Sequence, residues 1–140
     1  MKVADGMTTN VVTLNSTATA AEAAKKMQSE NVGTVLVLDG GSLKGLVTDR
    51  QIVTKVVAAG KDPAKVNVNE FMTKDPVTIS SEKDIHEAGR IMGEQGYRRV
   101  PVVDDGKLLG LISIADLAKH AMSCEPCMKD ILREAKKAER

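Results

Sequence analysis

The chain has 140 residues, 42% of them hydrophobic and 28% charged, a composition of ordinary globular proteins rather than of disordered or fibrous ones. Twenty basic residues against nineteen acidic ones leave a net charge of +1, and Phe71 and Tyr97 are the only aromatics, which argues against the basic excess and stacking platforms of nucleic-acid binding. No apolar run approaches the roughly 20 residues that cross a bilayer, and Met1–Gly6 lacks the apolar segment of a signal peptide. A cytoplasmic protein is expected, with neither nucleic acid nor membrane among its partners.

In chain order, a short β-branched stretch at Val11–Leu14 leads into a helical pattern with Ala20, Ala23, Ala24 and Met27 on one face. Two β-rich runs follow, Thr34–Leu38 and Leu43–Thr48, separated by Asp39-Gly40-Gly41-Ser42, whose glycines suit the positive φ of a tight hairpin turn. A second helix is expected from Asp49 to Ala59, ended by Gly60. Residues 61–70 are polar, contain Pro63 and read as a connection. The order then recurs: a strand at Val77–Ile79, a helix with Ile85, Ala88 and Met92 on one face, and strands Arg99–Val103 and Leu108–Ser113 around Asp104-Asp105-Gly106-Lys107.

The recurrence is ungapped. Met72-Thr73 stands 65 residues after Met7-Thr8, and the same offset relates Val77-Thr78 to Val12-Thr13, Val100 to Val35, Asp104 to Asp39, and Gly110-Leu111 to Gly45-Leu46. Two copies of one β-α-β-β-α unit follow. The fold class is α/β (α+β), with boundaries at 1–60 for the first unit, 61–70 for the connection, 71–122 for the second unit and 123–140 for a C-terminal helical tail. Units of this size bury their faces poorly alone, so the two are expected to pack about a pseudo-twofold axis, leaving two related clefts.

Met72-Thr73, Pro76-Val77-Thr78, Tyr97-Arg98-Arg99-Val100-Pro101-Val102-Val103-Asp104 and Gly110-Leu111-Ile112-Ser113-Ile114-Ala115-Asp116-Leu117, echoed by Gly45-Leu46-Val47-Thr48-Asp49-Arg50-Gln51-Ile52, resemble the cystathionine β-synthase (CBS) domain family in its paired, Bateman-module form. The resemblance spans Met7 to about Leu117. It implies a regulatory module rather than an enzyme, one that needs no cofactor, binds AMP, ADP, ATP or, less readily, NAD(H) or S-adenosylmethionine, and forms a homodimer that signals to a regulated protein. The physics is compatible: Asp116 offers an acceptor-only carboxylate to ribose hydroxyls, Ser113 stands at a helix start, and Arg98 and Arg99 can meet phosphate bidentately. The nucleotide set that the resemblance implies is Val77, Thr78, Arg98, Arg99, Val100, Pro101, Gly110, Ser113 and Asp116. Ser113-x-x-Asp116 is equally the pattern of a capping box, and one pair of residues can serve both ends.

The copies differ at the decisive positions. Gln51 stands where the second copy has Asp116, and Gly33-Thr34 where it has Arg98-Arg99. The first cleft, from Val12, Thr13, Thr48, Arg50 and Gln51, is expected to be weak or empty, with Arg50 either a phosphate contact or a solvated charge.

The tail carries Ser123-Cys124-Glu125-Pro126-Cys127 and then Met128, Ile131, Leu132 and Ala135 on one helical face. Cys124 and Cys127 are read as inert thiols, as a redox pair, or, with His120, as three ligands of a zinc or iron site. The helix itself packs on its own module or serves a partner. His86 reads as a helix-surface residue.

Overall fold

The computed structural model describes residues 1–120 and 129–134. The chain divides into two compact units, and their boundaries do not follow the repeats. One unit is Val11–Pro76; the other joins Met1–Asn10 to the chain from Val77 onward.

In the Val11–Pro76 unit, β1 (Thr13–Leu14) runs parallel to β2 (Thr34–Asp39), which pairs antiparallel with β3 (Ser42–Thr48). The sheet is completed by β4 (Thr73–Lys74), antiparallel to β3 through Gly45 and Leu46. Helix α2 (Ala20–Glu30) begins in a reciprocal box in which Thr19 Oγ1 accepts from Glu22 N and Glu22 Oε2 accepts from Thr19 N. It stops at Asn31, whose left-handed φ of 54° ends the helix as a glycine would. Ala20, Ala23 and Met27 face the core as expected, whereas Ala24 is exposed. The core is closed by Val35, Val37 and Val47 from the hairpin and by Val66, Val68 and Phe71. Residues 61–70 are thus not a bare connection: Val66 and Val68 bury their side chains, and a short 3-10 turn, Val68–Glu70, brings the chain back to the sheet.

The expected helix from Asp49 to Ala59 takes a different form. One turn, α3 (Asp49–Gln51), passes into a π-helix over Ile52–Val57, with Ala58 N donating to Val53 O at 2.8 Å and Lys61 N to Val56 O at 3.0 Å. The run Ile52-Val53-Thr54-Lys55-Val56-Val57 is mostly β-branched, which crowds an α-helix. The wider coil still buries Ile52 and Val56 and leaves Val53 and Val57 in solvent.

The other unit repeats this plan. Helix α4 (Ile85–Gln95) ends at Gly96, and β5 (Arg99–Asp104) and β6 (Lys107–Ser113) form a hairpin leading to α5 (Ile114–Lys119). Both hairpins turn through two residues of positive φ, Gly40-Gly41 and Asp105-Gly106, as the turn residues predict, and both carry a register shift at the same place, Val37/Leu38 and Val102/Val103. The stretch Val77–Ile79 is reduced to one parallel bridge between Ile79 and Val102. A short helix, α1 (Val3–Gly6), buries Val3 among Ile79, Ile85, Val100, Ile112 and Leu117, and Thr8 exchanges both backbone hydrogen bonds with Leu111, at 2.8 and 2.9 Å. A last helical segment, α6 (residues 129–134), packs on α4.

The two Met-Thr motifs have therefore traded sheets. Met7-Thr8 lies against β6 of the second repeat, and Met72-Thr73 against β3 of the first. Each crossing runs over a glycine. A Cβ on Gly110 would come within 2.5 Å of Thr8 O, and one on Gly45 within 2.6 Å of Thr73 O, which no real side chain tolerates.

Each hairpin is also fastened to the turn before its helix. Asp39 Oδ1 accepts from Ser16 N at 3.0 Å; Asp104, its counterpart, accepts from Ser81 N and Ser80 Oγ, both at 2.9 Å, and from Ser81 Oγ. These serine donors hold both carboxyls below the ordinary aspartate range, and the His86 amide does the same for Asp84, the cap of α4. A depressed folded-state pKa contributes stability above the unfolded value of about 3.9 and loses it as pH falls through the folded value. Acid titration of stability should therefore steepen below about pH 4, and Asp104→Asn should flatten that limb. Gly110→Ala and Gly45→Ala should each lower stability by about 1–3 kcal/mol in urea unfolding, whereas Lys107→Ala, exposed at the first position of β6, should be neutral.

Candidate functional site

The sequence-predicted nucleotide residues of the second repeat all lie in one unit, with Ser113 and Asp116 at the start of α5. Ser113 caps that helix: its Oγ accepts from Asp116 N at 3.1 Å, and Asp116 Oδ2 takes Ser113 N and Ser113 Oγ, each at 2.9 Å. Asp116 is only 5% exposed, and its other oxygen faces Lys119 Nζ at 3.9 Å. The capping role is thus filled, with one carboxylate oxygen committed to it. Ile114 N, the first amide of the helix, donates to Arg98 O at 2.9 Å.

Arg99 is the cross-strand partner of Ser113 and shares its face of the hairpin. Arg98, one residue earlier and outside the strand, has an exposed side chain whose Nε donates to Glu134 Oε1 of α6 at 3.2 Å.

The remaining members divide between packing and exposure. Val100 is wholly buried in its unit's core, as is Val102, so neither side chain is open to a ligand. Nor is the β5 backbone an open edge along Pro101–Val103, since Ile79 N donates to Pro101 O at 3.0 Å, Val103 N donates to Ile79 O at 3.0 Å, and β6 pairs on the other side. Gly110 serves the close approach of Thr8. Val77 and Thr78 are exposed beside this strand, and Pro101 is buried.

The first repeat's set shows what one residue change does. Thr48 Oγ1 accepts from Gln51 N at 3.2 Å, and Gln51 Oε1 takes Thr48 N at 3.0 Å, the same box as Ser113 and Asp116. The amide has a donor that a carboxylate lacks, and Gln51 Nε2 spends it on Thr73 Oγ1 at 2.7 Å, tying α3 to β4. Both ends of Gln51 are engaged. Arg50 is exposed, with its own amide donating to Asp49 Oδ1 at 2.8 Å. Val12 O accepts from Leu36 N at 2.9 Å, and Thr13 pairs with Leu36, so both belong to the sheet.

Cys124 and Cys127 lie outside the described residues. His120 closes α5 with its ring beside Gly6: a Cβ there would be 3.6 Å from Nε2. Among the described residues no group of three or more His, Cys, Asp or Glu side chains is placed to hold a metal.

Two residues carry more than their sequence pattern suggests. Among the described residues of α6 the buried ones are Asp130 and Glu134, while Leu132 is exposed and Ile131 packs at the core margin; Met128 and Ala135 of the expected apolar stripe lie outside the described residues. Asp130 sits against Gly89 and Gly93, and His86, half-exposed on the surface of α4, has its Nε2 3.8 Å from Asp130 Oδ2. The available signal was the four-residue spacing of two carboxylates matched by Gly-x-x-x-Gly on α4.

The CBS-domain family model matches residues 2–58 and 68–123. The chain belongs to the CBS-domain family. It is 37% identical over 123 residues to the CBS domain-containing protein YhcV of Bacillus subtilis, covering 88% of this chain and 87% of that one. The crystal structure of Hypoxic Response Protein I with two coordinated zinc ions is 31% identical, with a TM-score of 0.78 over 86% of this chain and 98% of the other. That of a hexameric CBS-CP12 protein from bloom-forming cyanobacteria is 33% identical, with a TM-score of 0.80 over 89% and 74%. The tandem CBS pair expected from the repeat is thus shown, and with it membership of a family of regulatory modules whose members form oligomers. No helix among the described residues is long and apolar enough to cross a membrane.

Gln51→Ala removes the cap and the tie to Thr73 together. It should cost about 1–2 kcal/mol in urea unfolding, while Gln51→Glu, which keeps the acceptor for Thr48 N, should cost less.

Proposed function

We propose that this CBS pair senses a phosphorylated adenosine compound, AMP, ADP or ATP in preference to NAD(H) or S-adenosylmethionine, at the second repeat. The observation that carries this reading is the unequal pair of caps at one register. Ser113-Asp116 retains a carboxylate with one oxygen outside the cap, 3.9 Å from Lys119 Nζ, and Arg99 pairs with Ser113 across the hairpin, whereas Gln51 has both ends committed and Thr34 replaces the arginine. Asp116 Oδ1 accepts from a ribose hydroxyl, Thr78 and Pro101 line the base, and Arg99 and Arg98 meet phosphate. The first repeat contributes no second site. Occupancy is relayed by conformational change to a regulated partner, the chain works in the cytoplasm as a homodimer, and it performs no catalysis.

A second reading has its own support, the zinc ions of the similar Hypoxic Response Protein I. In it His120, Cys124 and Cys127 hold zinc or iron. Elemental analysis of protein purified without added metal should show about one ion per chain if it is correct; absence of stoichiometric metal removes it.

Calorimetric titration with AMP, ADP, ATP, NADH and S-adenosylmethionine tests the first reading. One site per chain is expected, and Asp116→Asn, which keeps a capping acceptor and loses the charge, should weaken binding by about 1.5–3 kcal/mol, or tenfold and more. Arg99→Ala should weaken the phosphorylated ligands and spare S-adenosylmethionine. Absence of binding by all five, or equal binding by Asp116→Asn, would overturn it.

A further inference from the structure

Helix α6 occupies α4 through features that the first repeat lacks. Asp130 fits the notch left by Gly89 and Gly93, where Cβ atoms would lie 3.1 and 3.2 Å from its carboxylate oxygens. At the same register the first repeat has Ala24 and Gln28, both exposed, so α2 offers no such notch. One helical turn after Asp130, on the same face, Glu134 is 3% exposed and takes Arg98 Nε at 3.2 Å. The position matching Arg98 in the first repeat is Gly33.

A carboxylate buried this deeply depends on its cation, because an unpaired buried charge costs several kcal/mol or more. Arg98 is also a cation that the nucleotide reading assigns to phosphate. A guanidinium has five N–H donors but one positive charge. A phosphate drawn to Arg98 either pulls it from Glu134 or places a second anion beside a carboxylate that is already buried; in both cases the docked helix loses stability.

We propose that Glu134 is an internal competitor for Arg98, so that docking of the terminal helix and binding of a phosphorylated ligand at the second repeat weaken one another; this rests on the nucleotide reading above. Linkage makes the effect reciprocal. The helix lowers the affinity of the site, and the ligand loosens the helix, which gives ligand occupancy a physical output at the C-terminal end of the fold. The glycine notch sets how firmly the competitor is seated.

The test uses AMP and the full chain. By calorimetry, Glu134→Gln should bind AMP on the order of tenfold more tightly than the wild type. Gly93→Gln, which places the first repeat's residue in the notch, should do so by a similar factor. Glu87→Gln, an equal change of charge elsewhere on α4, should leave affinity unchanged. In hydrogen exchange, amides 130–134 should exchange faster with AMP bound, and faster in ligand-free Arg98→Ala than in the ligand-free wild type. If the wild type binds AMP through Asp116 but Glu134→Gln binds it equally or less tightly, the competition is overturned and the nucleotide reading stands. The competition is likewise overturned if Glu87→Gln gains as much, or if neither AMP nor Arg98→Ala speeds exchange in the helix. AMP binding by Glu134→Gln and not by the wild type supports the competition in its strongest form. Binding by neither overturns both.

Discussion

The structure depends on two places where a backbone carbonyl passes almost on top of a glycine Cα. At Gly45 and Gly110 the absence of a side chain lets a segment from the other repeat lie against the middle of a hairpin strand and hydrogen-bond to it. The crossing makes each compact unit a product of both repeats. Thr73–Lys74 completes the four-stranded sheet, and α1 together with Thr8 closes the other core over Val3. Any residue larger than glycine at either place displaces the segment, and with it the core residues the segment carries.

On this nearly symmetric frame the chain builds unequal chemistry from few changes. Both second helices start from the same reciprocal cap, so local backbone structure does not distinguish Asp116 from Gln51. What differs is the last valence of the side chain. An amide nitrogen reaches Thr73 and locks the start of α3 to β4, while a carboxylate oxygen has no donor there and stays turned toward Lys119. The two glycines of α4 likewise admit α6 where Ala24 and Gln28 leave α2 facing solvent. The frame is duplicated; the polar details are not.

Much of this was legible in the sequence. The ungapped 65-residue offset carried the number of units, the order of elements, the hairpin turns and the core faces, because hydrophobic period and turn residues are local properties. The residues of the candidate site were legible as a set, but their directions were not. Arg98 read as a phosphate cation and is engaged by Glu134 of α6, and Val100 read as a nucleotide residue and its side chain is core, since the side a strand residue faces depends on which side the helices cover. The exchange of the Met-Thr segments was hidden because partners distant in sequence leave no periodic trace. The π-helix escaped because its apolar positions, Ile52 and Val56, fit an α-helix equally well. The buried face of α6 escaped because two carboxylates at helical spacing look like a solvated surface until glycines opposite them and a cation beside them are known.

The exchanged segments also fix an order of events during synthesis. Everything the Val11–Pro76 unit needs is contiguous, so it can close as soon as Pro76 has left the ribosome. The other unit cannot. Its Met1–Asn10 segment is made first and used last, because Thr8 has no strand to join until Leu111 exists. Until Leu111 is made that segment is an unpaired edge, and loop closure over a hundred residues is the slow kind of contact. The repeat is therefore the period of the sequence, while the folding unit is the same period shifted in phase, and a break at the repeat boundary would leave two pieces each lacking its edge.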